Sequence, residues 1–511
     1  MKLTIRHPYL VFPVNTERSV KKLLFLKDGE TVCETDIRLD PLTPDFYAYL
    51  DVARFMGEEL SLEVSPDMAL AFREADEIDR PDLYREAFRP RYHFSEKNGW
   101  INDPNGLVRD AAGTYHMFYQ LNPADTHWGN MHWGHAVSRD MIRWEQKPIA
   151  LFPDELGTMY SGSGFLDTEN AAGFGKNALL FLYTAAGGES LRSRGKAFTQ
   201  CLAYSTDNGE TFTKYEGNPV LPCVRAYRRD PKLVWCEELS LYVMALYTDG
   251  NTYSLFTTSD MKHFEELQSF ELPGDGECPD FYPMTADDGT RHWICSGASA
   301  HYLVGVFRDG RFVPEQDVRS MHSGSVGYAG QTFSSLPDGR RINMVWERVA
   351  FPCGMPFASQ MSLPTVHTLK KKGSEYVLYA EPAEEVNTLR ISPLNVQKTD
   401  DGCISEISDA CTELTVTLPE HGGNVSLAML GHTVVFDRGN MELRMADRKI
   451  PMEAENGVIT VRLYWDICSL EVFAGANYAC FRAVTDENLH GITLSGDREA
   501  SFTGWRLAHI V

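Results

Sequence analysis

"SRDMIRWE", residues 138–145, has a close counterpart further along the chain, "TSDMKHFE", residues 258–265. Both carry Asp-Met, two further residues and then an aromatic, at Asp140/Trp144 and Asp260/Phe264. A looser copy, "STDNGETFTKY", surrounds Asp207 and Phe212, and a weaker one, "FRDGRFV", holds Asp309 and Phe312. An aspartate heading such a segment accepts hydrogen bonds from the backbone of a tight turn, and the aromatic that follows suits a strand. The anchors recur at roughly 50–65 residues, the period of four-stranded propeller blades. With "NDPNG" and "GYAGQTF" marking the two ends, about five blades fit between residues 90 and 365. A β-sandwich with similar hairpins is the competing reading.

Outward from the repeat, most of the chain reads as strands. Runs such as "GTYHMFYQL" and "HYLVGVFRDGRFV" are short, β-branched or aromatic, and punctuated by Gly, Asp and Asn. The best helical pattern is "SPDMALAFREADEIDRPDLYREAF", residues 65–88, predicted as one or two helices ending near Pro81 and Pro90. Beyond "SLPTVHTLKKKG" the Asp-aromatic turn disappears, and segments such as "VITVRLYWDICSLEVFAG" alternate as in a sandwich. The expected fold is all-β. Residues 1–88 form a β-rich accessory domain, residues 89–368 a five-bladed propeller, and residues 385–511 a C-terminal β-sandwich.

Composition narrows the function. The 511 residues are 43% hydrophobic and 23% charged, with a formal net charge of −23. Nucleic-acid phosphates and anionic membrane surfaces both ask for a basic face, so neither is an expected partner. The N-terminus shows no secretory pattern, and no run approaches ~18 apolar residues. The eleven cysteines are scattered without a C-x-x-C pair. That suits reduced thiols and a cytoplasmic protein. The oligomeric state stays open, a homo-oligomer included.

Three acids fall at similar phases of the repeat. Asp103 precedes the Asp140 turn, Asp230 precedes Asp260, and Glu277 precedes Asp309. The first strand of each blade lines the central channel, so these carboxylates should meet near its axis. Proline follows Asp103 and Asp230 directly and follows Glu277 after Cys278. It should hold the preceding residue extended and aim each acid inward. Trp100, Trp128, Tyr160, Trp235, Phe281 and Trp346 lie near the same strand starts, with Asn102, Gln120 and Arg229. Rings that cover apolar sugar faces beside groups that bind hydroxyls make a sugar pocket. Blade-to-blade packing is the plainer role for any single aromatic. Two carboxylates suffice for glycoside hydrolysis. His127, His132 and His135 in "HWGNMHWGH" match no zinc spacing, so neither a metal nor another cofactor is expected.

These residues resemble the β-fructosidases of glycoside hydrolase family 32, the invertases, inulinases and levanases. "WINDPNG", "FYQLNP", "WGHAVSRDMIRW", "YSGS", "AYSTDNG", "RDPKLVW", "ECPDFYP", "YAGQTF" and "SQMSLP" follow in the family's order, and "DICSLEVF" resembles part of its C-terminal sandwich. The resemblance covers roughly residues 90–511 and implies a five-bladed propeller followed by a β-sandwich. It implies that Asp103 is the nucleophile, Glu277 the acid/base and Asp230 the stabiliser. It also implies that Trp100, Ile101, Asn102, Gln120, Trp128, Tyr160, Ser161, Arg229 and Trp346 line a fructose subsite. The chain departs from the pattern at Val326-Gly327, where an acid is common, and in "MPFASQMSLP", where Phe357 stands nearest to a missing tryptophan. Both departures bear on subsites beyond the first fructose. Residues 1–85 resemble the extra N-terminal β-domain of some bacterial fructan-degrading members.

The function implied is a retaining exo-β-fructosidase acting on sucrose, fructo-oligosaccharides, inulin or levan. Two other readings stay open: a fructosyltransferase using the same covalent intermediate, and a carbohydrate-binding propeller without catalysis.

Overall fold

The structure is a computed structural model that describes residues 1–510 except 67, 224–226, 322, 323, 335, 353, 408 and 487–489. Five sheets, each built on four antiparallel strands and three of them carrying one further short strand, follow one another in the chain. Blade I begins with Gly99–Arg109, blade II with Thr158–Asp167, blade III with Arg229–Cys236, blade IV with Asp280–Thr285 and blade V with Gly327–Thr332. These inner strands lie side by side in that order, and the last returns to the first. Phe357–Ala358 closes the ring by pairing parallel to Gly99 and Trp100. The inner strands approach closely: a Cβ on Gly164 of blade II would sit 2.5 Å from the Gly106 carbonyl oxygen of blade I.

Period-2 alternation explains how a blade is covered on both faces. Along Ala178–Ala186 every residue is buried. Leu179, Phe181 and Tyr183 pack with Phe118 and Trp133 of blade I, while Leu180 and Leu182 pack with Leu233 and Met244 of blade III.

The Asp-headed turns sit at one place in four blades, between the third and fourth strands. Asp140 accepts from the backbone N–H groups of Ile142 and Arg143, and Asp260 from those of Lys262 and His263. In blade V the same turn is Lys372-Gly373-Ser374, between Thr365–Lys372 and Glu375–Pro382. It carries no aspartate. The propeller therefore runs to Pro382, beyond the expected boundary at residue 368, because the repeat's marker is absent from its last hairpin.

A further correction concerns the N-terminal region. Residues 65–88 form no helix among their described positions; they hold a short strand, Arg73–Ala75, and turns. Their apolar residues are spent elsewhere: Met68, Leu70 and Phe72 pack against the N-terminal core. That core lies between a four-stranded sheet, which includes Lys21–Lys27 and Glu30–Ile37, and a three-stranded sheet of Phe46–Asp51, Tyr9–Val14 and Arg73–Ala75. The residues from 76 to 98 contain no strand and lead into blade I.

A 3-10 turn, Glu384–Leu389, leads into the C-terminal sandwich, which spans Arg390–Pro393 to Ser501–Leu507 as two seven-stranded sheets. Val416, Val461 and Leu463 of one sheet meet Leu427, Phe436 and Leu494 of the other. A buried ionic cluster joins the sandwich to the propeller. His93 bonds Asp466 at 2.9 Å through Nδ1 and Glu471 at 2.7 Å through Nε2. Burial disfavours the imidazolium, but the two carboxylates outweigh it and push His93 up to about 10.

Candidate active site

Four of the five inner strands carry the same irregularity at the same end. Between Ile101 and Pro104 the inner strand advances three residues while its neighbour advances two, from Leu121 to Tyr119. The same extra residue occurs between Met159 and Gly162, between Arg229 and Lys232, and between Tyr328 and Gln331. A bulge of this kind breaks alternation and re-aims a side chain. Asn102 and Asp103 lie in the first, Tyr160 and Ser161 in the second, Asp230 in the third. The blade IV strand is regular, and its acid, Glu277, stands just ahead of it.

Proline does not hold every one of these acids extended. Asp230 has φ +65° despite preceding Pro231, and Glu277 and Cys278 have φ +61° and +37°. Non-glycine residues in that region are uncommon and cost of order 1–3 kcal/mol each. The bulge, with the Asp230 N–H donating to Thr184 Oγ1 at 2.9 Å, holds the strained conformation.

The three acids converge around Cys278. Its thiol lies 3.3 Å from Asp103 Oδ2 and 3.6 Å from Asp230 Oδ2, and its N–H donates to Asp230 Oδ2 at 3.0 Å. Burial and then the neighbouring acids Asp103 and Asp230 push this thiol well up, so it acts as a neutral S–H donor. Arg229 donates to Glu277 Oε1 at 2.6 Å and lies 3.7 Å from Asp230 Oδ2. Its guanidinium rests 4.5 Å over the Tyr247 ring. Tyr328 donates to Glu277 Oε2 at 2.8 Å.

Asp103 is held by a relay of side chains. Trp100 Nε1 donates to Asn102 at 2.9 Å, Asn102 to Gln120 at 2.8 Å, Gln120 to Ser161 at 2.6 Å, and Ser161 to Asp103 Oδ2 at 2.5 Å. Burial raises the Asp103 pKa above the ordinary aspartate value; Ser161, Asn102 and Cys278 oppose it, and the charge of Glu277 adds to it. Burial likewise pushes Asp230 up to about 7, against the pull of Arg229 and with the help of Asp103. The Asp230 side chain is 4% exposed, whereas that of Glu277 is 39% exposed. Two acids therefore line the floor, and the third stands at the mouth.

The remaining expected residues divide. Trp128 is exposed, with its ring edge-on to Tyr160 at 6.0 Å. Trp346 is buried and edge-on to Trp100 at 5.7 Å. Ile101 is fully buried in the apolar layer with Tyr119 and Met344 and does not face the acids. Phe281 stacks on Trp293 in the layer between blades, and Trp235 packs against Tyr242 at the opposite end of its strand from Asp230. The three histidines face different surroundings: His127 bonds Asp125, His132 bonds the Asn130 carbonyl, and His135 stacks on Phe118. Sequence reasoning missed Tyr328 and Cys278 as partners of the acids. Their signal was present, since Tyr328 lies in "YAGQTF" and Cys278 directly follows Glu277.

Comparison with known proteins agrees with this layout. Residues 93–382 match the family description "Glycosyl hydrolases family 32 N-terminal domain". A levanase of Bacillus subtilis is 32% identical over 466 residues, covering 80% of this chain and 67% of that protein. An invertase of Schizosaccharomyces pombe is 31% identical over 388 residues, covering 68% of this chain and 64% of that protein. Among solved structures, the exo-inulinase from Aspergillus awamori superposes with a TM-score of 0.72 at 23% identity, covering 85% of this chain and all of that one. The matched segment coincides with the five blades that carry Asp103, Asp230 and Glu277, and the chain belongs to glycosyl hydrolase family 32.

Proposed function

We propose that the protein is a retaining exo-β-fructosidase that releases terminal β-D-fructofuranosyl units from sucrose, fructo-oligosaccharides, inulin or levan. The observation that carries this reading is the asymmetry of the three acids. Asp103 is buried on a rigid relay without a cation bonded to it among the described residues, Asp230 is buried beside it, and Glu277 is half exposed with a tyrosine and an arginine on its two oxygens.

Each position suits one role. Ionised Asp103 attacks the anomeric carbon as the bond to the leaving oxygen breaks, and Glu277 gives that oxygen its proton. Deprotonated Glu277 then takes a proton from water, whose oxygen attacks the same carbon and frees Asp103. Two displacements on one carbon retain configuration. Asp230, low in the pocket, receives hydroxyls of the fructose ring, and the Trp100 and Trp346 rings flank the sugar. The relay through Ser161 keeps Asp103 within the narrow tolerance that displacement demands, since a misplacement of ~1 Å costs ~100-fold.

Nine of the described cysteines are free, which supports a reducing, cytoplasmic setting. The function is tested by incubating the protein separately with sucrose, 1-kestose, inulin and levan, and following products by chromatography and the anomeric configuration by NMR. Free fructose released first in the β configuration is expected. Larger oligosaccharides in place of free fructose would assign the intermediate to transfer, and release of the α anomer would remove the nucleophile from the mechanism.

A further inference from the structure

The N-terminal domain is built into the mouth of this site. A cavity of about 390 Å³, within the usual size range of ligand pockets, lies between Trp100 and Trp346 on one side and Thr16, Asp45 and Phe46 on the other. The first two residues belong to the propeller and the last three to the N-terminal domain. Trp346 links the cavity to the acid at the mouth. Trp346 lies 6.2 Å from the ring of Tyr328, and Tyr328 donates to Glu277. We propose that this cavity is the subsite for the leaving-group sugar of a fructo-oligosaccharide, and that the N-terminal domain supplies its outer wall. This inference rests on the fructosidase reading above.

The wall is a built surface. Thr16 donates to Asp45 Oδ2 from both N–H and Oγ1 at 2.8 Å. The neighbouring loop is fixed by Asp40, which accepts from Leu42 and Thr43 N–H and pairs with Arg18 at 2.6 Å. Asn15 ties the two loops by donating to the Thr43 carbonyl at 2.6 Å. The exposed Asp45 carboxylate is therefore held where sugar hydroxyls can donate to it, opposite two indole rings that can cover an apolar sugar face. Arg348, exposed and 4.6 Å over the Tyr328 ring, adds a donor on the propeller side.

The same domain braces a further part of the cavity lining, Thr126 and His127. Asp36 exchanges two 2.7 Å hydrogen bonds with Asn130, Arg38 pairs with Asp125, and Ala124 is buried in the N-terminal core. These contacts grip the segment that carries His127 and Trp128, so the domain's placement also fixes that aromatic. A module attached only for stability has no need to hold polar groups at the mouth.

The test compares chain lengths. Thr16→Trp fills the cavity and Asp45→Ala removes its carboxylate. Each is assayed on an aryl β-fructofuranoside, 1-kestose and nystose, with thermal unfolding checked against the unaltered protein. The expected result is a fall in kcat/KM on the two oligosaccharides at least five-fold greater than on the aryl fructoside, expressed mainly in KM. A uniform change on all three substrates, or none, in either folded variant overturns the inference while leaving the fructosidase reading intact. Failure of the unaltered protein to release fructose from any of them overturns that reading, and this inference with it.

Discussion

The protein gathers two groups of three carboxylates, and each has its cation placed differently. At the propeller–sandwich interface, Asp466, Glu471 and Glu347 surround His93. The imidazole bonds two of them directly, and Asp466 also accepts the N–H groups of Arg91 and Ile467. Burial opposes ionisation of Asp466, yet His93 and these backbone donors hold its pKa below the ordinary value. In the channel, Asp103, Asp230 and Glu277 share one arginine, and its hydrogen bond goes to Glu277 at the mouth. Asp103 and Asp230 are left with raised pKa values, on bulged strands. At the interface the cation is bonded to Asp466 and Glu471 and the cluster holds two domains together, while Glu347, not bonded to it, is pushed up to about 7 by burial and by the charge of Glu471. The channel cluster is under-compensated, which keeps one carboxylate reactive and another close to neutral pH. Only one peptide bond separates the two regions: Trp346 packs against Trp100 and Tyr328, which bond the channel residues Asn102 and Glu277, and Glu347 beside it belongs to the interface.

The contrast can be broken at its strongest point. Asp103→Asn removes the nucleophile at almost unchanged volume, and kcat on every fructoside should fall at least ~10⁴-fold with little change in thermal stability. Loss of stability with retained activity would place Asp103 in the structural class. His93→Gln should do the reverse. It leaves buried carboxylates without their cation, at a cost of about 3–5 kcal/mol, read as a lower unfolding midpoint in denaturant. In the unaltered protein, the His93 pKa of about 10 exceeds the ordinary 6.5. Its stabilisation is thus complete below 6.5 and lost as pH rises through 10. A midpoint that is flat across that interval, or the same for His93→Gln, would refute the assignment.

A smaller effect sharpens the comparison inside the channel. The Ser161 hydroxyl stabilises the charged form of Asp103, so Ser161→Ala should raise that pKa further. The acid limb of kcat/KM on an aryl fructoside should then move to higher pH by about one unit. Movement to lower pH would mean that the limb belongs to another group.

Much of this was legible in the sequence, for identifiable reasons. The Asp140 and Asp260 turns are local, since aspartate and its backbone donors lie within three residues. Blade V lost its boundary where Lys372-Gly373-Ser374 makes the same turn without aspartate. The helix expected over residues 65–88 failed because a helical spacing of apolar residues was overridden by packing against two distant sheets. Ile101 shows the limit most clearly. In a regular strand its neighbours Trp100 and Asn102 share one face and Ile101 takes the other, and that much follows from alternation. That Asp103 then joins Asn102 on the pocket side depends on the extra residue before Pro104, a feature of pairing with Leu121 and Tyr119 rather than of "WINDPNG" itself. The wall formed by Thr16 and Asp45 is longer-range still, since no local pattern brings residues of the first domain to a tryptophan of blade V.

The central claim is the division of labour between Asp103 and Glu277. It is tested most directly by the ratio of activity on an aryl β-fructofuranoside to that on sucrose in Asp103→Asn, Glu277→Ala and Asp230→Asn, with and without azide. Glu277→Ala should keep activity on the aryl substrate, lose it on sucrose, and be rescued by azide to give a fructosyl azide of retained configuration, because the covalent intermediate still forms on Asp103. Asp230→Asn should lose both activities alike, and Asp103→Asn should form no covalent intermediate on either substrate. If Asp103→Asn were instead the leaving-group-sensitive variant that azide rescues with retained configuration, the two roles would be exchanged, and Glu277 rather than Asp103 would carry the covalent intermediate.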